Sequence, residues 1–176
     1  MLREKPWFCC ILTLLFLLIT GPALFAQQQA DSSLEGLTTI HVRIQLKTES
    51  DGDGKGSGLT SEQLQGDAES LLADAGLKVV PQDEFERLLR SRGYPVALFD
   101  LDAKIAKLKD TDSHIYNLNF KVRQAAFLVR KPTVKFLAPT WELNSLGTTD
   151  SLPSLREKAR QAITQFIQQF KSENPK

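Results

Sequence analysis

Two cysteines, two histidines and one methionine are all that this 176-residue chain holds of those three side chains. Both cysteines, Cys9 and Cys10, fall within the first 26 residues. Beyond that segment there is no thiol for nucleophilic catalysis, no cysteine-based zinc site and no disulfide framework. The remainder of the chain must hold itself together by burial alone, and about 150 residues suffice for one ordinary core. No serine sits in a G-x-S-x-G elbow context, as Ser57, Ser113, Ser145, Ser151 and Ser154 show. His41 and His114 are both expected at the surface, on the polar phase of strands, and their spacing gives no support for a metal site. A one-sided charge is missing too, with 22 basic and 21 acidic residues. That balance argues against dependence on a polyanion such as nucleic acid.

The first 26 residues carry the plainest signal. Arg3 and Lys5 precede an apolar run from Trp7 to Ile19, broken by Gly21-Pro22 and succeeded by Leu24-Phe25-Ala26 and three glutamines. This is the layout of a secretory signal peptide, with cleavage expected after Ala26. The run is about 14 residues, short of the roughly 20 that span a bilayer. Counting on through Ala26 gives about 20 mostly apolar residues, so an uncleaved N-terminal anchor is the rival reading. Cys9 and Cys10 lie deep inside the run rather than at its end, which argues against lipidation. Removing Arg3, Glu4 and Lys5 leaves 20 basic and 20 acidic residues, a neutral exported chain of periplasmic or extracellular destination.

Residues 27–36 are small and polar, and are expected to form a disordered lead-in to a single domain over 37–176. Ile40, Val42, Ile44 and Leu46 alternate with His41, Arg43, Gln45 and Lys47, the pattern of a half-buried strand. Thr60 and Gln63 make a capping box, Leu64, Ala68, Leu71, Leu72 and Ala75 share one helical face, and Gly76 ends the helix. Leu77 to Val80 reads as a short strand, and Asp83 opens a short helix carrying Phe85, Leu88 and Leu89. Phe99, Leu101, Ala103 and Ile105 alternate with Asp100, Asp102 and Lys104 in a strand, although 103–109 also fits a helical turn.

Tyr116, Leu118, Phe120 and Val122, alternating with Asn117, Asn119, Lys121 and Arg123, form the clearest strand, with a bulge expected near Ala125-Ala126. Val134 to Leu143 returns as its hairpin partner, 147–151 is a loop, and a last helix carries Leu155, Ala159, Ala162, Ile163, Phe166 and Phe170. The expected fold is α+β: a two-layer sandwich with a mostly antiparallel sheet of about five strands and two main helices on one face. The other face is polar.

Three stretches suggest chemistry, each with a plainer reading. Asp51, Asp53, Gly56 and Glu62 match positions of an EF-hand calcium loop. Lys55, Gly58 and the preceding strand break the match, and a flexible connection is the better reading. Asp100 and Asp102 point to one face, as paired acid–base carboxylates would, but also as a solvated face would. Lys121, Arg123, Arg130, Lys131 and Lys135 make the hairpin mildly basic, able to touch anionic lipid, cell-wall polymer or an acidic partner. Such charges also protect strand edges from aggregation, and that is the reading favoured. Trp141 is expected to pack rather than serve as a ligand platform. No catalytic, metal-binding or cofactor-binding residue is assigned, and no cofactor is implied.

From Gly58 onward the chain resembles a group of uncharacterised exported bacterial proteins. The resemblance rests on Gly58-Leu59-Thr60, Leu72, Ala75-Gly76-Leu77 with Val79-Val80, Tyr116, Leu118, Phe120, Thr140-Trp141, Gly147, Phe166 and Asn174-Pro175. It implies a small α+β domain after a signal peptide, and no activity. The group's third strand, after the proline, is expected to be plainly apolar. Asp100, Asp102 and Lys104 make this one more polar. The function expected is that of a non-enzymatic exported envelope protein that binds an envelope or cell-wall partner or assists assembly. A hydrolase or ligand-binding enzyme without a recognisable motif, and an N-terminally anchored membrane protein, are the alternatives.

Overall fold

The computed structural model describes residues 33–49, 59–91 and 95–175. The expected signal segment and the 51–58 part of the calcium-like loop lie outside the described residues. Alternating side chains build five strands: β1 (Thr39–Glu49), β2 (Lys78–Val79), β3 (Val96–Lys107), β4 (His114–Leu128) and β5 (Lys131–Thr149). Three helices accompany them: α1 (Ser61–Asp74), α2 (Gln82–Arg90) and α3 (Leu152–Glu173). The strands form one open sheet in the order β2-β1-β3-β4-β5, and the fold is α+β as expected. The sheet is mixed rather than mostly antiparallel. β1 pairs in parallel with both β2 and β3, while β3–β4 and β4–β5 are antiparallel. The parallel pairs result from the helical connections on either side of β2, since parallel strands need a crossover and cannot close through a tight turn.

One face of the sheet carries the main core. Ile40 and Val42, Phe99 and Leu101, and Leu118 and Phe120 meet Leu64, Ala68 and Leu72 of α1 and Leu155, Ile163 and Phe166 of α3. Phe166 lies at the centre, with ring centroids 5.7 Å from Phe99 and 5.2 Å from Trp141. Burying each such ring stabilises the fold by about 1.5–3 kcal/mol. Trp141 packs as expected, and its indole N–H donates to Gln169 Oε1 at 3.0 Å. The capping box is present: the Gln63 N–H donates to Thr60 Oγ1 and the Thr60 N–H to Gln63 Oε1. Gly76 ends α1 at φ +96°, the left-handed conformation that glycine adopts at little cost.

Three expectations are corrected, and the choice between strand and helical turn at 103–107 falls to the strand. Residues 33–36, read as the end of a disordered lead-in, form a turn whose Leu34 is fully buried. Residues 147–149, read as loop, continue β5 to Thr149. Residues 103–107 are strand, and β3, for all its acidic side chains, is the central strand of the sheet. The bulge expected near Ala125-Ala126 lies instead in β5. Val122 pairs with Trp141 and Arg123 with Pro139, so Thr140 is the extra residue. Pro139 has no N–H to give the ladder, and the Thr140 hydroxyl bonds Val122 O at 3.3 Å in its neighbourhood.

Candidate functional site

The second face of the sheet is where polar side chains gather, and the strand register sets them in rows. The period of two puts Arg43, Gln45 and Lys47 of β1 on this side, with Asp100, Asp102 and Lys104 of β3 and Asn117, Asn119, Lys121 and Arg123 of β4. Arg43, Asp100, Lys121 and Glu142 are successive register partners and alternate in sign across four strands. The next row is Gln45, Asp102, Asn119 and Asn144, and the one after is Lys47, Lys104, Asn117 and Leu146. Neighbouring strands stand about 4.8 Å apart, so each row is a ladder of hydrogen-bonding groups at that spacing.

Asp100 is the anchor of the first row. It is buried, and the Arg43 guanidinium grips it with two bonds of 2.9 Å, Nε to Oδ1 and Nη2 to Oδ2. Arg123 Nη2 reaches Oδ2 from the other side at 3.2 Å. A buried carboxylate is tolerable only when paired in this way. Donating to Asp100 raises the pKa of the Arg43 guanidinium above its ordinary value, against the opposing effect of burial. Lys121 and Glu142 close the row at 3.3 Å.

The second and third rows are not closed. Asp102 Oδ1 and Asn117 Oδ1 are buried and have no hydrogen-bond partner among the described residues. Buried acceptors are almost always satisfied, and each one left open costs on the order of 1–3 kcal/mol. Between the rows lies a recess of about 220 Å³ lined by Arg43, Gln45, Asp100, Asp102, Asn119, Lys121 and Arg123. Its chemistry is that of a donor–acceptor array. It offers guanidinium, ammonium and amide donors beside the unpartnered carboxyl oxygen of Asp102, and suits hydroxyl-bearing or acidic polar surfaces.

Asp100 and Asp102 do share a face, as their spacing predicts, but the two arginines occupy Asp100 and leave only Asp102 open. His41 is on the polar phase yet is not a surface residue. The short helix α2 lies over that end of the face, Phe85 stacks on the imidazole at 5.3 Å, and Nδ1 is 2.9 Å from Val80 O. A carbonyl can only accept, so Nδ1 carries the proton there. Phe85 and Leu88 complete a small second core with Val80, Val96 and Leu98. His114 is at the other end, nine register positions along β3, roughly 30 Å from His41. Among the described residues no group of three or more His, Cys, Asp or Glu side chains is placed to hold a metal ion. Glu62 sits in the first turn of α1, where a backbone N–H holds its carboxyl below the usual range.

Glu142, Asn144 and Leu146 are the members of the rows that sequence reasoning missed. Reading straight through β5 puts Trp141 on the same side as Pro139. The extra residue at Thr140 reverses the phase, turning Trp141 into the core and Glu142 and Asn144 onto the polar face. The signal was Pro139 inside an alternating run.

No protein-family model and no curated protein matches the chain. Among solved structures, the fold is similar to the PelC dodecamer from Paraburkholderia phytofirmans at 15% identity, over 77% of this chain and 87% of that one, with a TM-score of 0.42. It is also similar to the hypothetical protein CT253 from Chlamydia trachomatis at 6% identity, over 76% and 97% of the two chains, with a TM-score of 0.40. A third likeness is to a putative neuraminyllactose-binding hemagglutinin homolog from Helicobacter pylori, at 14% identity over 79% and 83%, with a TM-score of 0.36. Such low identities transfer no residue role to this chain.

Proposed function

We propose that this protein is a non-enzymatic exported envelope protein that binds a partner through the polar face of its sheet. The observation that carries this reading is the pair of open acceptors, Asp102 Oδ1 and Asn117 Oδ1, buried within ordered polar rows. Turning these two side chains outward to a partner that supplies hydroxyl or amide donors relieves the cost of both. Five cations of the face, Arg43, Lys47, Lys104, Lys121 and Arg123, against the four acids Glu49, Asp100, Asp102 and Glu142 leave an excess of one positive charge, which favours a partner with acidic character. The separation of His41 from His114 and the locking of Asp100 between arginines support a binding role over hydrolysis. Export rests on the layout of residues 1–26. Among the described residues no helix is long and apolar enough to cross a membrane. Intact mass of protein recovered after export tests this part, since a chain starting at Gln27 rules out a retained anchor.

A photo-crosslinking residue placed at Asn144 tests the binding face in envelope preparations, with one at Gln161 on α3 as control. Cross-links to an envelope component from Asn144 and not from Gln161 are expected, and Asp102→Ala with Asn117→Ala should weaken them about tenfold or more, from the loss of two hydrogen bonds at about 1 kcal/mol each. Equal labelling from both positions, or none from Asn144, would sink the assignment.

A further inference from the structure

β4 and β5 run on past the end of β3. Ala97 of β3 pairs with Gln124, and from Ala125 to Leu128 β4 has only β5 beside it. The result is a two-stranded arm projecting beyond the three-stranded part of the sheet. Beyond Phe127, which pairs with Lys135, the register shifts so that Leu128 pairs with Lys131 and Pro132, Thr133 and Val134 are looped out. An isolated hairpin is marginal in water, but this one is tied down at its base. Leu137 packs against the second core. The Lys135 ammonium lies over the Phe127 ring at 5.8 Å and donates to Leu89 O and Ser91 O at the carbonyl end of α2.

The arm is nonetheless apolar where it meets solvent. Phe127, Val134 and Phe136 are each a third to a half exposed, and Val129 at the tip is 98% exposed. The charge along this stretch of chain is of one sign. Arg130, Lys131 and Lys135 lie in this stretch, and no acidic residue occurs between Arg123 and Glu142. Exposed apolar groups gathered at one projecting tip mark an interaction site. Cations interleaved with them specify an anionic one.

We propose that the arm docks on an anionic lipid bilayer, with Val129, Val134, Phe127 and Phe136 entering the interfacial layer and Arg130 and Lys131 meeting the headgroups. The energetics are those of an interfacial anchor: apolar side chains partition to the boundary, and each nearby cation adds attraction to acidic lipid. A second copy of this chain fits the same surface less well. Pro132 and Pro139 lack the N–H that edge pairing requires, and the two register shifts break the outer edge of β5. Two like-charged arms also repel. The arm stands apart from the polar rows, so its role is independent of the binding reading above.

The test uses the full chain carrying Val129→Trp, with emission read as the difference from the unsubstituted chain so that Trp7 and Trp141 cancel. Vesicles contain brominated lipid, either phosphatidylcholine alone or phosphatidylcholine with phosphatidylglycerol at about three to one. Quenching and a blue shift are expected on the anionic vesicles only. Arg130→Glu with Lys131→Glu in the same background should weaken the response about thirtyfold or more, from the loss of two cations at the surface. Both side chains are exposed and support no part of the core. Equal quenching on neutral and anionic vesicles, or none on either, overturns the proposal. So does a blue shift without lipid that grows with protein concentration, which would assign the arm to self-association.

Discussion

Gly147 lies opposite Tyr116 in the β4–β5 ladder, and the tyrosine ring folds over it. A Cβ on residue 147 would stand 2.8 Å from Tyr116 Oη and 3.1 Å from Cζ. Its backbone is ordinary strand, so glycine is present for space and not for conformation. The ring is buried and has the Lys158 ammonium 5.8 Å above it, so it is not free to swing aside. Gly147→Ala is expected to cost about 1–3 kcal/mol by overpacking, read as a fall in the urea midpoint at unchanged slope. An unchanged midpoint would mean that the ring yields at no cost. Sequence reasoning includes Gly147 among the residues of the resemblance but puts it in a loop. A lone glycine does not announce which ring will cover it, because Tyr116 comes next to it only through strand pairing. His41 teaches the same at the opposite end. Its phase is legible, but its burial depends on where α2 comes to rest.

Between elements, the deciding contacts are charged pairs that no local pattern encodes. Asp67 on α1 receives Arg156 Nε at 2.6 Å and Nη2 at 3.0 Å, and Arg160 Nη1 at 2.8 Å, so it clasps α1 to α3. The Arg156 hydrogen bond, with the charges of both arginines, holds the Asp67 carboxyl below the usual carboxylate range despite burial. The folded state therefore prefers the ionised form. This contribution is fully present above the unfolded value of about 3.9 and disappears as pH falls through the lower folded value. Asp67→Asn should lower the Tm by a few degrees at pH 7, a modest amount because both arginines are two-fifths exposed and screened by solvent. The two proteins should converge well below pH 4. A gap that persists in strong acid would point to packing instead.

Legible in the sequence at this scale is whatever is periodic and local. The β1 and β4 alternation, the α1 capping box with its glycine stop, and the apolar stripe of α3 all read correctly. β3 reads as the weakest strand because Asp100 looks like a solvent residue. It is the central strand, and Asp100 is held by Arg43, 57 residues away. Parallel pairing of β1 with β3 is likewise beyond local pattern, since it depends on two crossovers through α1 and α2.

At the scale of the whole molecule, the segment at 33–37 and the end of α3 are fastened together by bonds between residues 138 to 140 apart in sequence. Leu34 is fully buried, and its N–H donates to Glu173 Oε2 at 2.8 Å. Asn174 binds the same turn from both sides: its Oδ1 accepts from the Gly36 N–H at 2.7 Å and its Nδ2 donates to Leu34 O at 2.8 Å. The same Nδ2 also bonds Phe170 O at 2.9 Å and so closes the last turn of α3. From the other flank, Gln124 Nε2 donates to Ser33 O and the Ser33 hydroxyl to Thr140 O. A single amide side chain thus serves as helix terminator and as lock on the entering chain. Asn174→Ala removes all three of its bonds and leaves the Leu34 carbonyl without this donor, for an expected loss of about 1–3 kcal/mol. The diagnostic readout is local. Amide exchange at Gly36 should accelerate more than at Phe99 in the core, because the turn can open while the sheet stays closed. Asn174→Asp, which keeps the acceptor for Gly36 and loses the donors, should protect that amide while still weakening the end of α3. If Gly36 exchanges no faster in Asn174→Ala than in the parent, the turn is held by Leu34 burial and by its bonds to Glu173, Gln124 and Thr140, and the amide lock contributes nothing.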